Sequence, residues 1–364
     1  MPGNANLNAA AKAKKDEFYT RLEDIELELR HYRSHFENKV VFCNCDDPFE
    51  SNFFKYFALN FNRLGLKKLI ATSYHDSPIA GTQLSMIEGG ENVIQPKRKS
   101  YKAEVTQVRD ATGNGGIDMT DVAQLFYNGE NKLTPLRGDG DFRSQECLDL
   151  LDEADIVCTN PPFSLFREFV STLISHQKSF IIIGNLNAIH YKEVFPLIRD
   201  NELWLGASIH SGDRAFYVPD DYPLEAAGCG IDDATGRKFI RVKGVRWFTN
   251  LDIRHRHEEL ILVKRYSPDE YLSYANYDAI DVDSTSKIPS DYAGLMGVPD
   301  SFLDVYNPEQ FQIIGIGSGT LAASIGVRKN YRGRTDICYL QDGVYKCPYS
   351  RIIIRNKHPE VPTP

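Results

Sequence analysis

The chain has 364 residues, of which 42% are hydrophobic and 25% are charged, and its formal net charge is −8. This composition is typical of a globular protein with a substantial core, and it excludes a histone-like polycation. A negative total still allows nucleic-acid binding, because a local basic face is enough. The seven cysteines are scattered without a CxxC pair, so we predict reduced thiols. No apolar run approaches the roughly 18 residues of a membrane span, and the N-terminal residues lack a signal core, so we expect a cytoplasmic protein without membrane contact.

The first part of the chain alternates predicted helices and strands. After a polar tail over residues 1–14, LEDIELELRHY has the apolar spacing of a helix. Residues 40–42 form a short apolar run typical of a buried strand, and a helix follows from Ser51 as N-cap to Gly65 as C-cap. KKLIATSY is the next strand. This order predicts an α/β fold with a mostly parallel, doubly wound sheet.

The remaining segments complete that sheet and add a second region. Residues 77–132 form a polar excursion with one predicted hairpin, KAEVTQVRD. EADIVCTN and SFIIIGNL are predicted strands, each followed by a helix, whereas KFIRVKGVRWF and ELILVKRY predict antiparallel strands at the sheet edge. Further strands are predicted near FQIIGIG and RIIIR. We therefore predict one domain over residues 15–266 and a C-terminal region over residues 267–364, with a soft boundary.

The sharpest chemical signal directly follows the strand ADIVCT. Asn160, Pro161, Pro162 and Phe163 occupy the carboxyl end of a strand, where open α/β sheets bind ligands. Two prolines stiffen the turn, and its carbonyls and the Asn160 side-chain oxygen are hydrogen-bond acceptors. Converging acceptors would hold an exocyclic amine, and Phe163 would stack on a planar base. The alternative is a plain strand-to-helix turn stiffened by prolines.

The NPPF turn in this context resembles the catalytic motif of S-adenosylmethionine-dependent amino-methyltransferases, especially the N6-adenine DNA methyltransferases. The longer strings CNCDDPFESNFFKYF, SGDRAFYVPDDYPLEAAG, VKGVRWFTNLD and GVPDSFLDVYNPEQFQIIG resemble the EcoRI-type adenine-specific methyltransferase family. These matches run from about residue 16 to about residue 355. The resemblance implies a Rossmann-like class I methyltransferase domain over residues 15–266 and a target-recognition region over residues 267–364.

The resemblance also implies which residues bind S-adenosylmethionine. Three segments match the cofactor motifs: DEFYT before the first strand, DPFES after it, and GDGDF. The implied cofactor-binding residues are Phe18, Tyr19, Thr20, Asp46, Asp47, Pro48, Phe49, Ser51, Asp141 and Phe142. A structural role remains the alternative in each motif, because acidic residues at a strand end often cap the next helix and aromatic residues often belong to the core.

Two positions depart from the usual methyltransferase pattern. Ser51 and Phe53 stand where glycines are usual after the first strand. Either the backbone approaches the cofactor differently, or Ser51 contributes its hydroxyl. The second strand ends without the usual acidic residue for the ribose, although Asp76 is nearby. The missing glycines best support an alternative function, a nucleic-acid-binding protein on this fold without activity.

Basic residues are concentrated in three segments, residues 97–102, 237–257 and 328–357. The second holds seven basic residues and one acidic residue, the third holds eight and two, and each therefore has a net charge of +6. Such segregation in an acidic chain is typical of a phosphate-binding surface. The predicted DNA-binding residues are Lys97, Arg98, Lys99, Arg246, Arg254, Arg256, Arg328 and Arg332. The alternative is solvated strand faces with ordinary salt bridges.

The implied reaction places a methyl group on the N6 amine of adenine in double-stranded DNA. The base would be extruded from the duplex at a cost of a few kcal/mol. Asn160 and the Pro161 carbonyl would accept hydrogen bonds from the amine, without a covalent nucleophile. An RNA or protein amino-methyltransferase is the alternative enzyme. Two alternatives stay open for its partners: a cognate restriction endonuclease that acts on the same site without a stable complex, or a solitary enzyme.

No metal site is predicted. Cys43 and Cys45 form a C-x-C pair that lacks two further ligands and zinc spacing, so we predict core thiols. The HRH sequence at residues 255–257 is predicted to be part of a solvated basic face rather than a metal pair.

Overall fold

A computed structural model describes residues 18–45, 47–48, 51–73, 100–127, 129–218, 222, 224 and 228–361. The chain divides into two compact units. The first combines residues up to Ala188 with Ser211–Leu251, and the second combines Ile189–His210 with the residues from Asp252 onward. The units therefore interleave along the chain, and the last change of unit falls after residue 251, whereas the sequence suggested a boundary near residue 266. Within the described ranges, every helix is too short or too polar to span a bilayer.

The first unit alternates helices with strands, numbered here in chain order, so that α7 and β8 fall in the second unit. Its helices are α1 (Leu22–Leu29), α2 (Asn52–Leu59), α3 (Phe61–Leu64), α4 (Met119–Ala123), α5 (Gln145–Glu153) and α6 (Phe166–Ser175), with 3-10 turns at Arg30–His35 and Phe163–Leu165. Its strands are β1 (Tyr19–Thr20), β2 (Val40–Cys43), β3 (Lys68–Thr72), β4 (Tyr101–Val105), β5 (Lys132–Pro135), β6 (Ile156–Thr159), β7 (Ser179–Asn185), β9 (Asp213–Tyr217), β10 (Gly230–Ile231), β11 (Lys238–Lys243) and β12 (Val245–Thr249). A third 3-10 turn, Leu186–His190, spans the change of unit.

Seven strands of the first unit form the main sheet, in the order β5-β4-β3-β2-β6-β7-β12. β3, β2, β6 and β7 run parallel to one another. Every residue of β2 and β6 is buried, as their unbroken apolar runs predicted. β4, β5 and β12 run antiparallel to their neighbours. The predicted mixed α/β architecture with parallel strands is confirmed, and VRWFT is an antiparallel strand beside β7, as expected.

Helix ends in the first unit follow the predicted caps. The Ser51 hydroxyl accepts hydrogen bonds from the backbone N–H groups of Phe53 and Phe54 at the start of α2. Gly65 ends α3 with a φ of 63°, a left-handed conformation that favours glycine. Both predicted caps are confirmed, but the chain between them forms two helices, α2 and α3, which meet at Asn60, rather than the single predicted helix.

A second, smaller sheet in the first unit has the order β1-β9-β11-β10, and all its strand pairs are antiparallel. Side chains alternate between its two faces. Phe216, Ile240 and Val242 are buried on one face, whereas Arg241 and Lys243 are exposed on the other. KFIRVK therefore belongs to this small sheet and not to the edge of the main sheet.

The second unit is built around a mixed sheet. Its helices are α7 (Phe195–Arg199) and α8 (Gly319–Ser324), with 3-10 turns at Arg254–His257, Thr285–Lys287 and Asp300–Val305. Its strands are β8 (Trp204–Leu205), β13 (Ile280–Asp281), β14 (Leu295–Pro299), β15 (Phe311–Ile316), β16 (Tyr339–Gln341), β17 (Val344–Lys346) and β18 (Arg351–Asn356). The sheet order is β13-β14-β18-β15, and β16 and β17 form a separate hairpin. The predicted strands at FQIIGIG and RIIIR are confirmed as β15 and β18.

Three further local predictions are wrong. KAEVTQVRD is not a hairpin, because β4 pairs with β3 and β5 in the main sheet. ELILVKRY is not a strand, since it makes a single isolated bridge, Lys264 to Pro289, and exposes the side chains of Ile261 and Val263. Cys338 and Cys347 are joined in a disulfide rather than reduced, because the β16–β17 hairpin brings together residues nine apart in the sequence.

Candidate active site

The candidate site lies at the carboxyl ends of β3, β2 and β6, which are adjacent in the main sheet. The Thr72 hydroxyl donates to the Asn44 carbonyl at 3.2 Å, so the ends of β3 and β2 are tied together. The loop around Gly140 packs on the end of β3, where a Cβ at residue 140 would collide with the Ser73 carbonyl oxygen. Gly140 also has a φ of 81°, which favours glycine. The loops predicted from separate motifs are therefore neighbours.

Asn160 follows β6, and its side-chain amide is oriented by one hydrogen bond. Its Nδ2 group donates to the backbone carbonyl of Phe18. Its Oδ1 atom is buried and has no hydrogen-bond partner among the described residues. A buried acceptor without a donor is costly, and such atoms are rare unless a ligand completes them. The amide therefore presents a fixed, unsatisfied acceptor at the end of a parallel strand.

Three aromatic rings pack against one another next to the NPPF turn. Phe163 packs edge to face on Phe18 and on Phe216, with ring centroids 6.0 and 6.2 Å away. Phe18 also contacts Phe216, at 6.1 Å. Phe216 and Phe18 are almost fully buried, whereas Phe163 is half-buried. Phe216 lies in a segment that resembles the family but was not among the predicted site residues, because only the pairing of β9 shows which of its side chains lie beside Phe18 and Phe163.

The loop after β2 is held by hydrogen bonds. The Asp47 carboxylate is buried and accepts from the Tyr101 hydroxyl at 2.9 Å, while the Asp47 carbonyl accepts from Ser51 N–H at 2.7 Å. The Ser51 side chain is 1% exposed, and its hydroxyl caps α2. Of the two alternatives for this loop, the one in which Ser51 offers its hydroxyl to the cofactor is therefore disfavoured. Pro48 is buried, and the predicted residues Asp46 and Phe49 lie outside the described residues.

Tyr19 and Thr20 form β1 beside this loop. The Thr20 carbonyl accepts from Asn52 Nδ2 at 2.7 Å, which links β1 to the start of α2. The Thr20 hydroxyl is buried without a hydrogen-bond partner within the part of the chain that the structure describes. Tyr19 is 8% exposed and pairs with Tyr217 across the small sheet. β1 therefore adds a second unsatisfied polar atom near the strand ends.

The GDGDF segment contributes one charged and one buried residue. Hydrogen bonding to the Arg143 guanidinium holds the pKa of Asp141 below its usual value, so this carboxylate stays ionised. Phe142 is buried and packs edge to face on Phe169, with a centroid distance of 5.0 Å. Phe142 is thus part of the core, which was the alternative to a cofactor-binding role for this residue. Asp141 keeps a partly exposed carboxylate.

Comparison with known proteins shows to which family the chain belongs. The family model described as adenine-specific methyltransferase EcoRI matches residues 6–357. The chain belongs to this family. It is 42% identical to the type II methyltransferase M.EcoRI of Escherichia coli over 97% of each chain. It is 34% identical to M.MpnI of Mycoplasma pneumoniae, over 96% of this chain and 98% of that protein. A search of the solved structures found no match.

Membership of the adenine-specific methyltransferase EcoRI family confirms the predicted enzyme class, an adenine-specific DNA methyltransferase. A second Mycoplasma relative, from M. genitalium, is also a type II methyltransferase and is 34% identical over 97% of this chain and 99% of its own. These similarities extend over nearly the full length of each protein. The sequence similarity therefore covers both compact units of this chain.

The predicted DNA-binding residues of this family member lie in different environments. Arg246 is only 4% exposed and its Nη1 donates to the Val245 carbonyl, so its burial argues against the predicted DNA contact. Every residue of β12 is buried, so this strand places the Arg246 side chain in the interior. Trp247 and Phe248 are buried beside it. Lys97, Arg98 and Lys99 lie outside the described residues.

The remaining predicted arginines lie in the second unit. Arg254, Arg328 and Arg332 are exposed. Arg256 is largely covered: its guanidinium lies 3.8 Å from the centroid of the Trp204 ring, and its Nη2 donates to Asn201 at 2.8 Å. Burial lowers the pKa of Arg256 from its ordinary value. The 3-10 turn Arg254–His257 therefore exposes Arg254 to solvent, whereas Arg256 is held by Trp204 and Asn201.

Proposed function

We propose that this chain transfers a methyl group from S-adenosylmethionine to the N6 amine of an adenine extruded from double-stranded DNA. The observation that carries the proposal is the buried Asn160 Oδ1 atom, which lacks a donor among the described residues. An adenine amine is a donor of the right kind for this acceptor. The bond from Asn160 Nδ2 to the Phe18 carbonyl keeps the oxygen, rather than the amide nitrogen, directed at the ligand.

The residues around the strand ends fit S-adenosylmethionine, which when bound supplies an activated methyl group. The unsatisfied Thr20 hydroxyl and the buried Asp47 carboxylate offer polar contacts to its charged methionine end. Gly140 lets its loop pack closely against the end of β3, where a Cβ would collide with the Ser73 carbonyl oxygen, and Asp141 offers an ionised acceptor. We assign Phe18, Tyr19, Thr20, Asp47, Pro48, Ser51, Asp141 and Phe142 to this binding region, with Ser51 and Phe142 acting through the shape of their loops.

The protein would stabilise the target base by two kinds of contact. Asn160 Oδ1 and the Pro161 carbonyl accept hydrogen bonds from the amine, which favours a nitrogen lone pair directed at the methyl donor. The half-buried ring of Phe163, held by Phe18 and Phe216, stacks on the extruded base. Both contacts orient the reacting atoms and exclude water, so catalysis rests on positioning and electrostatics. Extrusion costs a few kcal/mol of lost stacking and pairing, which these contacts offset.

The finer architecture follows from the same assignment. We infer that the parallel strands and their helices form a Rossmann-like, doubly wound catalytic domain, in which the ligand crevice lies at the carboxyl ends of β2 and β6. The second unit is the target-recognition region, and exposed Arg254, Arg328 and Arg332 contact phosphates there. The protein would act in the cytoplasm on bacterial or phage DNA and protect sites that a cognate restriction endonuclease cuts.

The test is methyl transfer from labelled S-adenosylmethionine to unmethylated double-stranded DNA, with RNA in a parallel reaction. The expected product is N6-methyladenine in DNA, identified by mass spectrometry, and sequencing of the methylated DNA then gives the recognition site. Label in RNA but not in DNA would contradict the proposal that DNA is the substrate. Label on cytosine would contradict the proposed amine acceptor.

A further inference from the structure

The β16–β17 hairpin of the second unit has two different faces. Its strands pair Tyr339 with Lys346 and Leu340 with Tyr345, and cross-strand partners share one face. Tyr339 is partly buried and packs against the core of the second unit beside the Tyr274 ring. Because successive side chains of a strand alternate, Leu340 and Tyr345 lie on the opposite face. This outer face, defined by Leu340 and Tyr345, is turned away from that core.

Apolar and aromatic side chains are exposed on the outer face. Leu340 is 49% exposed and Tyr345 is 44% exposed. Tyr331, from the preceding loop, is 50% exposed and stacks on the Tyr345 ring with a centroid distance of 5.2 Å. The Arg332 guanidinium lies 4.9 Å from the Tyr331 ring centroid. A cluster of exposed apolar side chains typically marks an interaction surface.

Basic residues outnumber acidic residues around this face. Residues 328–346 hold five basic and two acidic residues, a net charge of +3 in a chain whose net charge is −8. The five exposed basic residues are Arg328, Lys329, Arg332, Arg334 and Lys346. Of the two carboxylates, Asp336 accepts from the Gly319 N–H at the start of α8. Even when Asp278 of the adjoining loop is counted, cations exceed carboxylates, so the surface favours an anionic partner.

These cations have neutral partners. Arg328 Nη2 donates to the Ala275 carbonyl at 3.3 Å, and Lys346 Nζ donates to the Gln341 side chain at 2.9 Å. Within the described ranges of the chain, none of the five takes part in an ion pair. Their positive charge is therefore not compensated by a carboxylate, and no ion pair has to break before a phosphate binds.

The outer face is held in one conformation before any partner binds. The two-residue turn Asp342–Gly343 has φ values of 52° and 74°, a geometry whose twist matches that of a hairpin. The disulfide between Cys338 and Cys347 joins the chain on both sides of the hairpin. Asn330 Nδ2 contacts the two sulfur atoms at 3.3 and 3.7 Å, so the loop that carries Tyr331 is tied to the hairpin. A preorganised surface loses little conformational entropy when it binds.

We propose that the outer face of the β16–β17 hairpin lies in the major groove of the target DNA and contacts thymine methyl groups. A two-stranded ribbon fits the major groove, about 12 Å wide, but not the minor groove, about 6 Å wide. Apolar side chains recognise thymine by its C5 methyl group. Leu340 and Tyr345 contact the base edges, and Lys329 and Arg334 contact neighbouring phosphates. This inference rests on the proposed function, and it names the element of the second unit that reads the sequence.

Deoxyuridine, which lacks only the C5 methyl group of thymidine, tests the base contact. The probes are duplexes containing the site found by sequencing methylated DNA, in which each thymine of either strand is replaced in turn. Wild-type affinity is expected to fall about fourfold at one or more positions, which is the scale for burying one methyl group. Leu340→Ala should not distinguish thymine from uracil at those positions. Identical responses of the wild type and Leu340→Ala to every replacement would overturn the proposal.

The matched control for the base contact is Ile261→Ala. The Ile261 side chain is 84% exposed in the second unit and lies outside the hairpin. This variant should respond to the loss of each thymine methyl group as the wild type does. Thermal unfolding reports whether the variants are folded.

The salt dependence of DNA binding tests the phosphate contact independently. Lys329→Gln is compared with Lys67→Gln, which changes an exposed lysine just before β3, at the opposite end of that strand from the candidate site. The slope of log K against log salt is expected to fall by about one in Lys329→Gln and to stay unchanged in Lys67→Gln. Equal slopes in the two variants would overturn the proposal.

The outcomes separate this inference from the proposed function. If the wild-type protein methylates no DNA, the proposed function fails and this inference fails with it. If it methylates DNA but Leu340→Ala and Lys329→Gln behave as their controls, only the role of the hairpin is wrong. Self-association that Leu340→Ala abolishes, with unchanged DNA affinity, would also overturn the proposal and assign the outer face to a second copy of this chain.

Discussion

The buried side-chain oxygens of Asn160 in the first unit and Asp281 in the second unit differ in whether they have hydrogen-bond partners. Asn160 Oδ1 is buried and has no partner among the described residues. The Asp281 carboxylate accepts from Arg351 Nε at 2.9 Å and from the Tyr274 hydroxyl at 2.6 Å. A satisfied cluster fixes the packing of a sheet, whereas an oriented acceptor without a donor is suited to a ligand. The oriented acceptor of Asn160 therefore supports the chemistry that we propose, whereas the Asp281 cluster stabilises the packing of its own sheet.

The largest expected effect is on catalysis. Asn160→Ala removes the acceptor, and we expect methyl transfer to fall by about a thousandfold, which is the scale for losing one group that stabilises a transition state. Binding of S-adenosylmethionine should change little. Asn187→Ala, at an exposed asparagine of the first unit, is the control and should leave turnover intact. Wild-type turnover in Asn160→Ala would contradict the assignment.

The next effect is on stability in the second unit. Arg351→Gln leaves Asp281 buried beside Tyr274, and we expect a loss of about 3 kcal/mol in the free energy of unfolding. Arg355→Gln, at an exposed position on the same strand β18, is the matched control and should change stability by less than about 0.5 kcal/mol. Chemical denaturation measures both. Equal stability of the two variants would contradict the claim that the Asp281 cluster stabilises the second unit more than an exposed arginine does.

A smaller effect is expected in the cofactor region. Gly140→Ala brings a Cβ against the Ser73 carbonyl at a φ of 81°, so the loop must move away from the end of β3. We expect S-adenosylmethionine affinity to fall about tenfold, measured by calorimetry. Gly138→Ala lies in the same loop and meets no atom within 4 Å, so it should bind the cofactor normally. Normal binding by both variants would place the cofactor elsewhere.

The smallest effect concerns pH. Hydrogen bonding to Asp252 raises the pKa of His257 above its ordinary value, and Glu309 adds to the effect. The charged form is favoured in the folded state, so this stabilisation is full below the unfolded pKa and is lost as pH rises through the folded pKa. Between about pH 6 and pH 8, wild-type protein should lose slightly more thermal stability than His257→Gln. Parallel pH profiles for the two proteins would refute the coupling.

Much of the fold was accessible from local sequence patterns. The NPPF turn, the Ser51 cap and the Gly65 cap depend on residues within a few positions of each other, and each was predicted at its observed place in the chain. Phe216 was missed because its role comes from contacts with Phe18 and Phe163, which are distant in sequence. No local pattern encodes that convergence.

The basic segment at residues 237–257 shows what the sequence alone does not determine, namely which basic side chains are exposed. It reads as one positive stretch, but the chain passes from the small sheet through buried β12 into the second unit. Arg237 stacks on Tyr217, Arg246 is buried, and Arg256 stacks on Trp204. Charge counting along a sequence cannot distinguish these environments, because strand alternation and pairing decide which side chains face water.

In the reaction that we propose, Asn160 Oδ1 receives the amine of the target adenine. The most direct measurement is a double-mutant cycle on DNA affinity, with adenine or purine at the target position and with wild-type or Asn160→Ala protein. Purine lacks the amine, and the cycle cancels the change in base pairing that both proteins experience. We expect a coupling energy of about 1 kcal/mol or more, because the wild type alone distinguishes the two bases by this contact. A coupling energy of zero would contradict it.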